Sequence, residues 1–230
     1  LVAGASAAAR NLGVSPLVIG LTIIGFGTSA PELVVSAVAT LKGNPGLAVG
    51  NAIGSNIANM SLVLGITALI YPLRMESTAL KREYPVLLLI MLVCFFMALD
   101  GSYSRPEGWA LVAGLFLVIV WIVRIGLHRP PSDPLAEEFD AEIPKNVPTK
   151  KAIFWLIVGL IVLPISSTIL VEGATTIARF MGVSDIVIGL TVVALGTSLP
   201  ELATAITAAL NKEEDLAIGN IIGSNIFNLL

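Results

Sequence analysis

Long apolar stretches alternate with short polar ones along all 230 residues of the chain. Seven stretches stand out, near 16–41, 47–70, 84–100, 107–127, 152–180, 184–210 and 215–230, and most reach the roughly 20 apolar residues that a helix needs to cross a bilayer. Lipid offers backbone groups no partner, so each stretch is expected to be helical. Tyr71, Tyr84, Tyr103, Trp109 and Trp155 fall near the proposed ends, where an amphipathic ring sits at headgroup level. Residues 1–10, LVAGASAAAR, read as the tail of one more membrane helix. The single long polar segment, 128–151, carries five prolines and five acids and reads as a solvated linker between two halves, 1–127 and 152–230.

Composition sharpens this pattern. Hydrophobic residues make up 56% of the chain and charged residues 13%, about half the charge of an ordinary soluble domain. A water-soluble fold is excluded. One cysteine, Cys94, and one histidine, His128, exclude an internal disulfide and a multi-histidine metal centre. A net charge of −3 argues against nucleic-acid binding.

A constant shift of 169 residues aligns the beginning of the chain with its end without a gap, and positions 1–61 match 170–230 at 32 of 61 places. The second copy is preceded by apolar residues with no counterpart before Leu1, and the first is followed by spans with no counterpart after Leu230. A whole molecule of two five-helix halves, ten helices in all, is therefore expected, of which this chain would hold about seven and a half. Five successive helices separate the copies, and an odd number of crossings reverses direction, so the repeats are expected to be inverted in the membrane. With connecting segments assigned to alternate sides, ten of the 13 lysines and arginines fall on the side of the linker. That excess places the linker in the cytoplasm of a protein of the cell (inner) membrane.

Glu32 and Glu201 occupy matching mid-span places. A carboxylate at that depth costs about 2.5 kcal/mol or more, so two at symmetry-related positions point to a functional site. In GTSAPE, Thr28 shares a helix face with Glu32 and Ser29 lies beside it; Thr197, Ser198 and Glu201 repeat the arrangement. Pro31 and Pro200 remove a backbone N–H and are expected to break each helix, freeing the carbonyls of Gly27 and Gly196. The second element, GNAIGSNIAN, stacks Asn51, Ser55 and Asn59 on one stripe, and Asn220, Ser224 and Asn228 repeat it. Gly50 with Gly54, and Gly219 with Gly223, allow close helix approach. Packing kinks and interhelical hydrogen bonds also account for parts of this pattern, but together the elements read as an oxygen-lined pocket. With two carboxylates and no thiol or imidazole it suits a hard cation, Ca2+ best, with Na+ and Mg2+ as competitors.

These doubled motifs, GTSAPE with GTSLPE and GNAIGSNIAN with GNIIGSNIFN, resemble the calcium/cation antiporter superfamily, specifically its prokaryotic sodium/calcium exchanger branch. The resemblance implies exchange of Na+ for Ca2+ by a ten-helix all-α membrane protein. It implies Ca2+ ligands at Glu32 and Glu201 with the carbonyls of Thr28 and Thr197, and flanking Na+ sites at Ser29, Ser55, Ser198 and Ser224 with the carbonyls of Gly25 and Ala194. Asn59 and Asn228 would complete the pocket; some members carry Asp where this chain has Asn228.

The leading expectation is thus a secondary antiporter, not an enzyme, working by alternating access in the lipid bilayer. No cofactor is expected beyond the transported Ca2+ and Na+, and no protein partner is required. A Ca2+/H+ exchanger on the same scaffold is the rival, and a passive cation channel a further alternative. Hydroxyls and carbonyls around each Glu favour Na+, because a proton needs no coordination shell. No nucleophile and base pair marks an intramembrane enzyme.

Overall fold

In the computed structural model, residues 1–74, 77, 80–127 and 134–230 are described. The opening of the expected linker, 128–133 with His128 and Arg129, lies outside them. The helices follow the apolar stretches: α1 (Val2–Asn11), α2 (16–28), α3 (Ala30–Leu41), α4 (Pro45–Ile70), α5 (Leu80–Met97), α6 (Arg105–Leu127), α7 (Pro134–Glu142), α8 (Thr149–Met181), α9 (Asp185–Thr197), α10 (Leu199–Leu210) and α11 (Glu214–Leu229). Among the described residues four helices are long and apolar enough to cross a membrane, and the bent pairs α2–α3 and α9–α10 raise the number to as many as six.

The two bent pairs are mates under the 169-residue shift, and each is interrupted twice. A π-helical turn runs over Gly20–Ile24 and over Gly189–Val193. There the hydroxyls of Thr22 and Thr191 donate to the carbonyls four residues back, Val18 and Val187. Such back-bonding and single π-turns distort helices at functional positions. The second break falls at Ser29 and Ser198, whose backbones sit at φ −84°, ψ 0° and φ −82°, ψ 2°, and the axes there bend by 49° and 40°. Pro31 and Pro200 lie in the first turn of the helices that follow, where a missing N–H leaves no bond unmade. The prolines therefore start new helices. The carbonyl of Gly27, expected to be free, accepts a backbone N–H at the cap.

Glycines set the helix crossings. A Cβ on Gly50 or Gly54 of α4 would strike the carbonyl of Ile186 or Leu190 in α9, and one on Gly189 would strike that of Leu47. Gly4 does the same for α1 against α8, meeting the backbone of Ala152 and Leu156. This is close small-residue packing of the membrane type. α5 covers α11 through Leu87, Ile90 and Cys94 on Ile222 and Ile226. On α4 the mates of those two isoleucines, Ile53 and Ile57, are 39% and 58% exposed.

The linker departs from expectation. It is not a solvated strand of chain: α7 lies in it, with Leu135, Phe139 and Ile143 buried in a core shared with Ile19, Leu216, Ala217 and Ile221. Those three positions are spaced four apart and form one apolar stripe. Arg10 at the end of α1 bonds the side chain of Asp140 (2.6 Å) and the carbonyl of Ile143 (3.2 Å). Lys145 pairs with the same carboxylate, and these cations hold Asp140 below the usual carboxylate range.

Candidate cation site

The breaks at Ser29 and Ser198 bring the two acidic helices against the polar stripes of α4 and α11. Glu32 and Glu201 are 2% and 0% exposed and lie within electrostatic reach of each other. Thr28, Ser29, Thr197, Ser198, Asn51, Ser55, Asn59, Asn220 and Ser224 are all buried around them. So many polar groups in the middle of a membrane bundle persist only if each is bonded or serves a ligand.

Much of the bonding crosses between repeats. The Thr28 hydroxyl donates to Asn220 Oδ1 at 3.0 Å, and its mate Thr197 donates to Asn51 Oδ1 at 3.2 Å. The same two hydroxyls lie 3.2 Å from the carbonyls of Gly25 and Ala194, the two that the family resemblance implies. Ser224 is a hub: its Oγ accepts from Ser29 at 2.7 Å and Asn59 at 3.3 Å and donates to Glu201 Oε1 at 3.0 Å. On the opposite side the pattern is looser. Ser198 reaches Glu32 Oε1 at 3.4 Å, and Ser55 lies 3.3 Å from the Thr197 hydroxyl. Asn51 clamps the chain at the acid by donating to the Glu32 carbonyl at 3.1 Å.

Buried oxygens of the predicted site residues without a hydrogen-bond partner include Glu32 Oε2, Glu201 Oε2 and Asn59 Oδ1. An orphaned buried acceptor costs about 1–3 kcal/mol, more when charged. Oxygens of this kind are the ligands a hard cation takes, six to eight of them for Ca2+. Among the described residues no group of three or more His, Cys, Asp or Glu is arranged to hold a metal ion, so the pocket's donor set is two carboxylates with neutral oxygens. Asn228 stands apart from the other predicted residues. It is only partly buried and lines a cavity of about 180 Å3 that also reaches Glu32 and Ser36.

Two asparagines escaped the sequence reading. Asn225 is fully buried and accepts from Asn59 at 3.1 Å; Asn56, its mate, is 4% exposed with neither amide atom bonded. Both lie one residue past the Asn-Ser-Asn stripe, and their identity in the two repeats is the sequence signal that marks them.

The sodium/calcium exchanger protein family matches residues 1–125 and 151–230. CaxA of Alkalimonas amylolytica is 52% identical over 100% of this chain and 72% of its own length. The inner membrane protein YrbG of Escherichia coli (strain K12) is 43% identical over 100% of this chain and 71% of its own. A solved structure of the sodium-calcium exchanger NCX_Mj superposes with a TM-score of 0.65 at 35% identity, covering 99% of this chain and 71% of that one.

Proposed function

This chain belongs to the sodium/calcium exchanger protein family, and from that premise we propose that it exchanges Na+ for Ca2+ through the pocket between Glu32 and Glu201. The family is one of transporters, and cation/Ca2+ antiport follows from membership. The coupling ion and the site are the finer reading. The observation that carries it is the pair of unpartnered carboxylate oxygens, Glu32 Oε2 and Glu201 Oε2, buried together among neutral oxygen donors.

Two negative charges balance one Ca2+ or two Na+, and either cargo offsets the cost of two buried carboxylates. Competition for that charge couples the two fluxes. Glu32 and Glu201 with the Thr28 and Thr197 carbonyls hold Ca2+; Ser29, Ser55, Ser198 and Ser224 with the Gly25 and Ala194 carbonyls serve Na+. Asn59 contributes its free Oδ1, and Asn228 lines the approach. Rocking of the inverted repeats then exposes the pocket to each side in turn. The excess of lysine and arginine on the linker side supports a cytoplasmic linker, and the printed name of YrbG supports an inner-membrane location.

The test is Ca2+ uptake by Na+-loaded proteoliposomes of the full-length protein. Uptake is expected to need the outward Na+ gradient. Uptake driven equally by a proton gradient and indifferent to Na+ replaces this reading with Ca2+/H+ exchange; flux that never saturates replaces it with a channel.

A further inference from the structure

Inverted repeats with closely matching sequences would make matching contacts if both ends of the pocket were in the same state. They do not. Away from the linker, the second half of α8 is closed on α3, with Val171, Ala174 and Ala178 in one cluster with Val35 and Ala39. The 169-residue mates are Val2, Ala5 and Ala9 of α1 and Thr204 and Ala208 of α10. Among the described residues α1 packs on α8 and α2; Val2 and Ala9 border the core that holds Ala208, but α1 and α10 are not packed along their length as α8 and α3 are. A cavity of about 590 Å3 stands between them instead, lined by Val2, Ser6, Thr28, Glu142, Pro200 and Thr204 among others. It connects the linker with Thr28 of the cation site.

The linker helix explains the gap. On the far side α9 lies directly on α4, with Gly189 against the carbonyl of Leu47. The mate of Gly189 is Gly20, and the ring of Phe139 lies where its Cβ would be. α7 packs against both α2 and α11, so it occupies the crevice that is shut on the far side. Glu138 fastens it there by accepting the Leu216 N–H of α11 at 2.6 Å.

Two side-chain oxygens at this open end lack partners among the described residues. Ser6 Oγ and Glu213 Oε2 are buried and unbonded. Their mates are Thr175 and Asn44, and those two are bonded, Asn44 Nδ2 donating to Thr175 Oγ1 at 3.4 Å. Glu213 interacts with the carboxylate of Glu142, which lines the cavity.

We propose that α7 is a built-in wedge that holds the linker-side gate open, and that the gate closes by seating α1 on α10 with the Ser6 hydroxyl donating to Glu213. The closed gate repeats the far-side contact of Thr175 with Asn44. This inference rests on the alternating-access reading above and adds to it a device in the linker that sets which side the pocket faces.

The test uses the full-length protein in proteoliposomes, in a cysteine-free background, with Ser6→Cys and Glu213→Cys. Copper phenanthroline oxidises the two thiols to a disulfide, which mass spectrometry detects independently of transport. The disulfide is expected to form, to stop ion exchange until it is reduced, and to form about tenfold faster or more when Phe139→Ala is added, since a shift of only about 1.4 kcal/mol in the balance of states suffices. A second pair, Val2→Cys with Thr204→Cys, leaves Ser6 and Glu213 intact and reads the same closure. No disulfide from either pair, or equal rates with and without Phe139→Ala, overturns the wedge. Failure of Na+-driven Ca2+ uptake by the unoxidised wild-type protein overturns the functional reading instead, while the cross-linking rates still report on the gate.

Discussion

Ser224 offers a quantitative test of the site because one hydroxyl serves three partners. Ser224→Ala leaves the Ser29 hydroxyl without its acceptor, takes an acceptor from Asn59 Nδ2 and leaves Glu201 Oε1 without its donor at 3.0 Å. A hydrogen bond to a charged group contributes about 1.5–3 kcal/mol. The Glu201 contact alone therefore corresponds to roughly a ten- to 150-fold loss at about 1.4 kcal/mol per tenfold. Asn59 keeps its bond to Asn225 at 3.1 Å, so its share of the loss is small. Ser198→Ala is the comparison variant: its one contact with an acid, to Glu32 Oε1, is long at 3.4 Å. Both variants of the full-length protein are reconstituted, and initial Ca2+ uptake is measured against internal Na+ and external Ca2+. Ser224→Ala is expected to raise the half-saturating cation concentration by at least about tenfold, and Ser198→Ala by much less. Equal effects, or a larger one for Ser198→Ala, would refute the claim that Ser224 organises the pocket.

Glu32→Gln and Glu201→Gln are each expected to abolish exchange while the protein still inserts, because one charge no longer balances Ca2+; robust uptake by either removes the paired-carboxylate argument. Burial, with the nearby carboxylates of Asp215 and Glu213, pushes Glu138 up from 4.5 to about 7. The docked state thus disfavours its ionisation, so docking of α7 is strongest below about pH 4.5, weakens as pH rises toward 7 and stays weak above it. Limited proteolysis of the linker is expected to run faster at high pH, and Glu138→Gln to flatten the profile; equal rates across that range in the wild type contradict it. Gly54→Ala is expected to destabilise the protein by about 1–3 kcal/mol through overpacking, because its Cβ falls 2.6 Å from the Leu190 carbonyl, whereas Gly65→Ala, with nothing within 4 Å, is expected to be tolerated. Thermal melts of the full-length protein in detergent compare the two, and similar melting temperatures would contradict the crossing described.

The membrane spans and the repeat were legible in the sequence because both rest on local properties. An apolar run of sufficient length has one low-energy conformation in lipid, and a gapless 169-residue alignment is read by identity alone. The residues around Glu32 and Glu201 were legible for the same reason: polar groups are costly in such runs and therefore conspicuous. The π-turns at Gly20–Ile24 and Gly189–Val193 were not, since a Gly and a back-bonding Thr are compatible with an ordinary helix. The α7 stripe of Leu135, Phe139 and Ile143 was hidden among prolines and acids, and its burial depends on a crevice formed by α2 and α11, far away in the chain.

The doubled motifs put Glu32 and Glu201 at matching places in the two repeats, and that much is written in the residues themselves. Packing makes the halves unequal: Ser6 is orphaned where Thr175 is bonded, and Phe139 sits against Gly20 where Leu47 sits against Gly189. The difference depends on which crevice α7, a segment with no mate in the repeat, fills, and that is decided by contacts between residues far apart in the chain.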